Sequence, residues 1–429
     1  MPFIRSSQLS YTPDTTRRYY RKKQNHVKNC QLEYLAYSVR FHHTVSMKQT
    51  LRGIALCAVG LEKIASKELE RLGLRENERK PGRVYFDIEE KNLTQALSMT
   101  NIGLRTAERV LIEPGRFKAV DFDAFFDGIF EMPWEMFCYK DTKIHIERVR
   151  SHESKLFAQT SLQAMAQKAI YEKLMQNYRM RTMPETGNEL AVRVYLDNDE
   201  CSVGIDASGD ALHKRGYRAM AGQAPLKETI AASLLFLSGW NRKFALLDPF
   251  CGSGTIAIEA ALYALNFAPG LNRRFAFESM PAVNPQGVSE ARSMLESHIK
   301  TNAEFSILAS DIDPSVLNIA RRNAEEAGVA DWIRFEQKKA ESAEPFSAIG
   351  HLITNPPYGN RLGTEEQAKA LYTSLAPLGD RFSEAGWGMG FITNIENFGE
   401  YFGRAPESIK HIKNGAEEQW YHWYPASKR

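Results

Sequence analysis

Asn355-Pro356-Pro357-Tyr358 closes a short apolar run, His351-Leu352-Ile353-Thr354, and is followed by Gly359. The carboxamide oxygen of Asn355 and the backbone carbonyl of Pro356 can both accept hydrogen bonds from the exocyclic amine of guanine or adenine. Such an amine is a weak nucleophile because its lone pair is delocalised into the ring. Two acceptors orient that lone pair and stabilise the positive charge that develops as nitrogen attacks a carbon. This is the preorganisation of an oxyanion hole, with acceptors in place of donors. Pro356 and Pro357 restrict themselves and the residue before each, so the acceptors are held before a base arrives. Tyr358 offers a ring face for an unstacked base, worth about 1–3 kcal/mol per base in other systems. Asn355, Pro356, Pro357 and Tyr358 are the candidate catalytic residues, and their task is mainly positioning. Alone, the same four residues also read as a proline-rich turn with a packed tyrosine.

A second signal lies upstream, Asp248-Pro249-Phe250-Cys251-Gly252-Ser253-Gly254-Thr255, between apolar Phe244–Leu247 and helical-looking Ile256–Ala261. A strand, a glycine loop and a helix in this order form a nucleotide-type cofactor site. A dinucleotide fingerprint would read G-x-G-x-x-G with an acid about 20 residues on. Here Ala257 takes the third position, and the acid arrives far later, in Asp311-Ile312-Asp313-Pro314 after the run Phe305–Ser310. Asp311 is placed to accept from ribose hydroxyls, and Asp248 before the loop is typical of enzymes that use S-adenosylmethionine (SAM). SAM is favoured over NAD, with Asp248, Phe250, Gly252, Ser253, Gly254, Thr255, Asp311, Ile312 and Asp313 as candidate cofactor residues. Together the two motifs describe methyl transfer from SAM to an exocyclic base nitrogen. The stretch from Asn266 to Thr301 reads as an insertion at the binding face. Cys251 lies in the cofactor loop and reads as a small packing residue.

The elements that must position these groups follow from periodicity. Apolar runs near 244–248, 306–311, 332–336 and 351–355 alternate with helices, which argues a doubly wound, mainly parallel sheet. Gly388–Thr393 reads as a later strand, and His411–Gly415 with Glu418–Tyr424 as a closing antiparallel pair. Upstream, strand Gly53–Ala58, a helix through Leu61, Ile64, Ala65, Leu69 and Leu72, and strand Val84–Asp87 form a ferredoxin-like beginning, ending near Glu113. Next come strand Lys143–Val149, a helix through Leu162, Ala166, Ala169 and Leu174, and a hairpin around Asp197–Glu200. Arg148, Arg150 and Lys155, at the junction between that strand and helix, are candidate phosphate contacts, helped by a helix N-terminus.

Charge and cysteines set limits. The chain carries a formal +3, yet residues 1–46 hold eight Lys/Arg against Asp14 and Glu33, so the remainder is net −3. Binding of nucleic acid must therefore rest on local patches. The first 46 residues read either as a basic arm or, preferentially, as upstream sequence ahead of a start at Met47. The five cysteines show no metal-type spacing, so no metal is expected and a reducing cytoplasm is. No apolar run reaches the roughly 18–20 residues of a membrane span.

Much of the chain resembles bacterial RNA guanine-N2 methyltransferases that carry a THUMP RNA-binding domain. It looks most like the amino-terminal half of the bifunctional 23S rRNA guanine-N2 enzymes and their stand-alone relatives. The residues that carry the resemblance are Leu212–Arg218, Ala224–Thr229, Asp248–Thr255, Ala268–Leu271, Asp311–Asp313 and Asn355–Gly363. The resemblance runs from about Met47 to the C-terminus. It implies a ferredoxin-like domain over 47–113, a THUMP domain over 114–210 and a class I methyltransferase domain over 211–429. It implies SAM as cofactor and RNA as partner, with Arg215 and Arg218 added to the RNA contacts. A tRNA or adenine-N6 target, or a non-catalytic RNA-binding assembly factor, are the alternatives. One departure stands out: where many SAM enzymes place an adenine-holding Asp, this chain has Lys338-Lys339-Ala340-Glu341. Either Glu341 with a backbone carbonyl holds the adenine, or it is held loosely. The cofactor site lies wholly after His213, so a fragment from there is expected to fold and bind SAM.

Overall fold

The computed structural model describes residues 50–218, 226–357 and 365–426. The basic arm 1–46, Ala224, Pro225, Tyr358 and the string Gly359–Gly363 lie outside the described residues. The described chain belongs to one unit, Gln49–Arg429, built on two sheets.

The first sheet holds β1 (Thr50–Cys57), β2 (Glu76–Lys80), β3 (Arg83–Glu89), β4 (Ala107–Glu113), β5 (Arg116–Lys118), β6 (Lys143–His152), β7 (Glu189–Asp197) and β8 (Glu200–Asp206). Its order is β2-β3-β1-β4-β8-β7-β6, with β5 paired to β8. Helices Glu62–Arg71 and Leu93–Gly103 alternate with β1–β4, completing the ferredoxin-like βαββαβ unit. The β7–β8 hairpin turns at Asn198 and Asp199, both at positive φ (52° and 62°), as a two-residue hairpin turn of the primed kind requires. The expected boundary at 113–114 is not a break in packing. β4 pairs with β8 through Leu111↔Asp206 and Ile112↔Ile205, so the second unit extends the sheet of the first. Phe86 and Ile112 share one apolar core with Leu162 and Val194.

The second sheet holds β9 (Ala245–Asp248), β10 (Ile307–Asp311), β11 (Ile333–Gln337), β12 (Gly350–Thr354), β13 (Gly388–Thr393), β14 (Ser408–Asn414) and β15 (Glu417–Tyr424). Its order is β11-β10-β9-β12-β13-β15-β14. β9 to β13 run parallel; β15 pairs antiparallel with β13 and with β14. This is the doubly wound sheet with its closing hairpin. β9, β12 and β13 are buried along their whole length, which is why they read as continuous apolar runs rather than alternating ones. Strand order reverses beside β9, and ligands of such sheets bind at that switch point, beyond the carboxyl ends of the strands.

One expectation is corrected. Residues 266–301 do not stand at the binding face; they pack against the amino-terminal half. Phe275, Phe277, Met280, Val288 and Leu295 are buried in the core of the first sheet. The physical reason lies in the segment itself, which carries too many large apolar side chains to remain a solvated insertion. Further links tie the halves together. Arg105 donates through Nη2 to the Phe267 carbonyl at 2.5 Å, and Val59 and Lys413 exchange backbone hydrogen bonds at 2.9 and 3.0 Å.

Candidate active site

The glycine loop leaves β9 at Asp248 and enters the helix Thr255–Ala264. Gly252 and Gly254 sit at φ +53° and +84°, where an L side chain is strained. At Gly254 an added Cβ would also press on Ala320 at 3.1 Å, whereas above Gly252 there is open space. Backbone hydrogen bonds fix the loop to the neighbouring strand. The Cys251 N–H donates to the Ser310 carbonyl at 2.9 Å, and the Gly252 N–H donates to Asp311 Oδ2 at 3.0 Å. Asn323, buried in the helix Pro314–Glu326, donates through Nδ2 to the Ser253 carbonyl at 3.0 Å.

Asp248 is buried, and the Thr354 hydroxyl donates to its Oδ1 at 2.6 Å. Burial pushes its carboxyl up to about 7, against the lowering effect of the Thr354 and Phe250 donors and with a small push from the Asp311 charge. Thr354 thereby ties the end of β12 to the end of β9. Asp311 accepts from the Gly252 and Asp313 amides, which orients its carboxylate at the strand ends. Asp313 serves differently. Its Oδ1 accepts from the Ser315 N–H at 2.8 Å and hydroxyl at 2.7 Å, capping the helix that starts with Pro314. Ile312 between them is 60% exposed, an unusual exposure for isoleucine and a ready apolar face for a planar ring. Phe250 is partly buried against the core of the second sheet. The Cys251 thiol is buried, and that burial pushes it well up, as for a packing cysteine. Glu341 takes the Ser374 hydroxyl on Oε1 and Arg381 on its carbonyl.

Asn355 follows β12 directly and is only 8% exposed. Its Oδ1 is buried with no hydrogen-bond partner among the described residues. A buried acceptor left unpaired costs about 1–3 kcal/mol and calls for an explanation; an incoming N–H donor provides one. Pro356 is buried and Pro357 partly so, and the Pro357 carbonyl lies 3.5 Å from the Tyr372 hydroxyl.

The residues read as RNA contacts divide. Arg148 and Arg150 are exposed on β6, at the edge of the first sheet, and Lys155 is exposed in the loop that follows. Arg215 is a correction: it is 7% exposed and turned inward. It donates to the Leu212 carbonyl at 2.7 Å and to the Arg105 carbonyl, and it faces Glu259 at 3.4 Å. A guanidinium so engaged cannot leave for a phosphate without stranding Glu259. Arg218 is partly buried and meets Glu228 Oε1, Thr255 Oγ1 and the Leu226 carbonyl at 3.0–3.1 Å. Sequence reasoning missed Thr354 and Asn323. Asn323 left one trace, a polar residue on the buried face marked by Leu317, Ala320 and Ala324.

With this geometry in hand, the relatives are informative. Residues 215–420 match the RMKL-like methyltransferase domain, and residues 53–111 match the RlmL ferredoxin-like domain. YpsC of Bacillus subtilis, named as an RNA methyltransferase, is 36% identical over 373 residues, covering 86% of this chain and 95% of that protein. The chain belongs to the RMKL-like methyltransferase family. The ribosomal RNA large subunit methyltransferase K/L of Shewanella amazonensis is 34% identical over 377 residues, 85% of this chain but 52% of that protein. The chain thus spans about half the length of that K/L relative. SMU.472, a methyltransferase-type protein solved with S-adenosylhomocysteine (SAH), superposes with a TM-score of 0.81 at 32% identity, covering 89% of this chain and all of that one. This RMKL-like protein is a SAM-dependent methyltransferase, and the strand-end loop with its two positive-φ glycines and orphaned carboxamide suits that cofactor and reaction.

Proposed function

We propose that the protein transfers a methyl group from SAM to the exocyclic N2 of a guanine in RNA, with 23S rRNA as the substrate. The observation that carries the proposal is the buried Asn355 Oδ1, unpartnered among the described residues and set one residue beyond Thr354, which grips the cofactor-loop strand through Asp248. Bound SAM supplies an electrophilic methyl on a sulfonium. The glycine loop, Asp311 and Ile312 hold it, Asp311 toward the ribose and Ile312 against the adenine. Asn355 Oδ1 and the Pro356 carbonyl accept the two N–H bonds of the base amine, and Tyr358 stacks on the base. As the N–C bond forms and the S–C bond breaks, these acceptors stabilise the positive nitrogen until its proton passes to water. The base must be unstacked to reach them, at a cost of a few kcal/mol. Residues 114–210 act as a THUMP-type RNA-binding unit, with Arg148, Arg150 and Lys155 on backbone phosphates.

The preference for rRNA over tRNA rests on the names of the K/L relatives and on the RlmL-type match over residues 53–111. A cytoplasmic location follows from an rRNA substrate, and no described helix is long and apolar enough to cross a membrane. Nucleoside mass spectrometry of rRNA and tRNA from a deletion strain tests the reading. Loss of N2-methylguanosine from one 23S position supports it. Loss only from tRNA, or loss of N6-methyladenosine, overturns the substrate assignment.

A further inference from the structure

A cavity of about 640 Å³ opens between residues 210–218 and the Arg273–Arg274 corner. Its volume is that of a small-ligand pocket, but such pockets are lined mainly by apolar and aromatic groups. Here most of the lining residues are charged. Lys214, Arg218, Arg273 and Arg274 line it, with the inward-turned Arg215 at its wall, and Asp210 and Glu228 are the acids among its described lining residues.

The ion pairs leave cations in excess. Lys214 pairs with Asp210 at 2.7 Å, and Arg218 with Glu228 at 3.1 Å. Arg273 donates to the carbonyls of Ala211 at 3.1 Å and Asp210 at 2.8 Å and lies over the Phe275 ring, with no carboxylate partner among the described residues. Arg274 reaches Glu278 at 3.3 Å, but Arg292 already holds that carboxylate at 2.5 Å, and the Arg274 side chain is 87% exposed. The Arg273 guanidinium is held below its ordinary value, first by burial and then by the Arg215 charge. Outside residues 1–46 the chain carries a net −3, so a cationic cavity runs against its overall balance. The cavity also reaches the end of the cofactor loop. Arg218 lines it and, from the same Nη2, meets Thr255 at the end of the glycine loop at 3.1 Å.

We propose that this cavity seats backbone phosphates of the RNA strand that presents the target base, with Arg273 and Arg274 as the principal contacts. The inference rests on the reading of the protein as an RNA methyltransferase and adds a second RNA-contacting surface next to the cofactor loop. Phosphate contacts of this kind fix position and register while leaving base choice to other groups.

The test uses the full chain and an unmodified 23S rRNA transcript, with affinity measured from low to moderate salt. Two variants are compared with wild type: Lys214→Gln/Arg274→Gln, whose side chains are exposed, and Arg273→Gln. Each lost phosphate contact lowers the slope of log affinity against log salt by about 0.7–0.9. Affinity several-fold to about tenfold weaker with a flatter salt slope, and unchanged SAM binding and melting temperature, is the expected result. Wild-type affinity and slope in the exposed double variant overturn the cavity assignment while leaving the RNA reading intact. A loss of SAM affinity with unchanged RNA affinity also overturns it, because the cavity then serves the cofactor. No transcript binding by the wild-type protein overturns both.

Discussion

Replacing Asn355 by alanine separates catalysis from stability in a way that few active-site changes do. In the folded protein Asn355 Oδ1 is buried and unpartnered among the described residues. The desolvation cost of such an acceptor, about 1–3 kcal/mol, is already present before any base binds. Removing the oxygen relieves that cost, while the shortened side chain gives up some packing. Asn355→Ala is therefore expected to leave the melting temperature of the apoprotein unchanged or raised. Catalysis should respond in the opposite sense. Loss of one preorganised hydrogen-bonding group at a developing charge lowers kcat by about 10²–10³, or about 2.7–4 kcal/mol. SAM affinity should stay within several-fold, because the cofactor-loop contacts of Gly252, Asp311 and Asp248 do not pass through Asn355. The assay is a single-turnover rate on 23S rRNA transcript, with calorimetric SAM titration and a thermal melt on the same preparation. Parallel losses of SAM affinity and rate refute the assigned role. A lowered melting temperature refutes the idea that the oxygen waits for a donor, and makes Asn355 a structural residue.

Asp311→Ala should weaken SAM binding by about 1–3 kcal/mol, the scale of hydrogen bonds to a charged group; unchanged calorimetric affinity would move the ribose contact elsewhere. Asp248 has a folded-state value of about 7 against an ordinary 3.8. The folded protein thus binds its proton more tightly, and stability from this group is lost as pH rises from about 4 to 7, by on the order of 1.4 kcal/mol per pH unit. His351 and His422, both lowered to about 4 by burial, act in the opposite direction over 4 to 6.5. The difference between Asp248→Asn and wild type removes their contribution, and the variant should gain relative stability across that window in thermal melts; a pH-independent difference would show that Asp248 is ionised when buried. Against the expectation from sequence that it would fold and bind SAM, a fragment from His213 to Arg429 should be poorly folded, because Phe275, Phe277, Met280 and Leu295 would lose the core they pack into; a cooperative melt and wild-type SAM affinity in that fragment would refute this.

The parts of the molecule that were legible in its sequence are those governed by local physics. The parallel strands announced themselves as short apolar runs because they are buried on both faces, as β9, β12 and β13 are. The loop between Asp248 and Thr255 was legible because only glycine accepts the backbone conformations at 252 and 254 without strain. What escaped were long-range partnerships. No spacing rule links Thr354 to Asp248 or Asn323 to Ser253, since each pair meets only after the sheet and its helices assemble. Arg215 was misread for the same reason: a basic residue in a basic-looking run is indistinguishable from a surface cation until Glu259 is seen across from it. Residues 266–301 were misplaced because their apolar residues identify a buried segment without saying which core it joins.

That misplacement bears on how the protein works. The segment enters between β9 and β10 of the catalytic sheet and is buried in the core of the other sheet, while β14 pairs with Val59 through Lys413. Arg105 adds a link through the carbonyls of Leu262 and Phe267, at the end of the helix that follows the glycine loop. The edge strand carrying Arg148 and Arg150 is therefore connected to Asn355 through packed elements rather than through a flexible tether. A flexible tether would raise the effective concentration of the target base over a range of distances. A fixed separation instead favours RNAs whose phosphates and splayed base match it, and shape is the property by which folded RNA is mostly distinguished. On the proposed reading, with little bulk positive charge to draw RNA indiscriminately, this fixed geometry does the selecting. The few kcal/mol needed to unstack the target base are then drawn from contacts that only a correctly shaped RNA can complete.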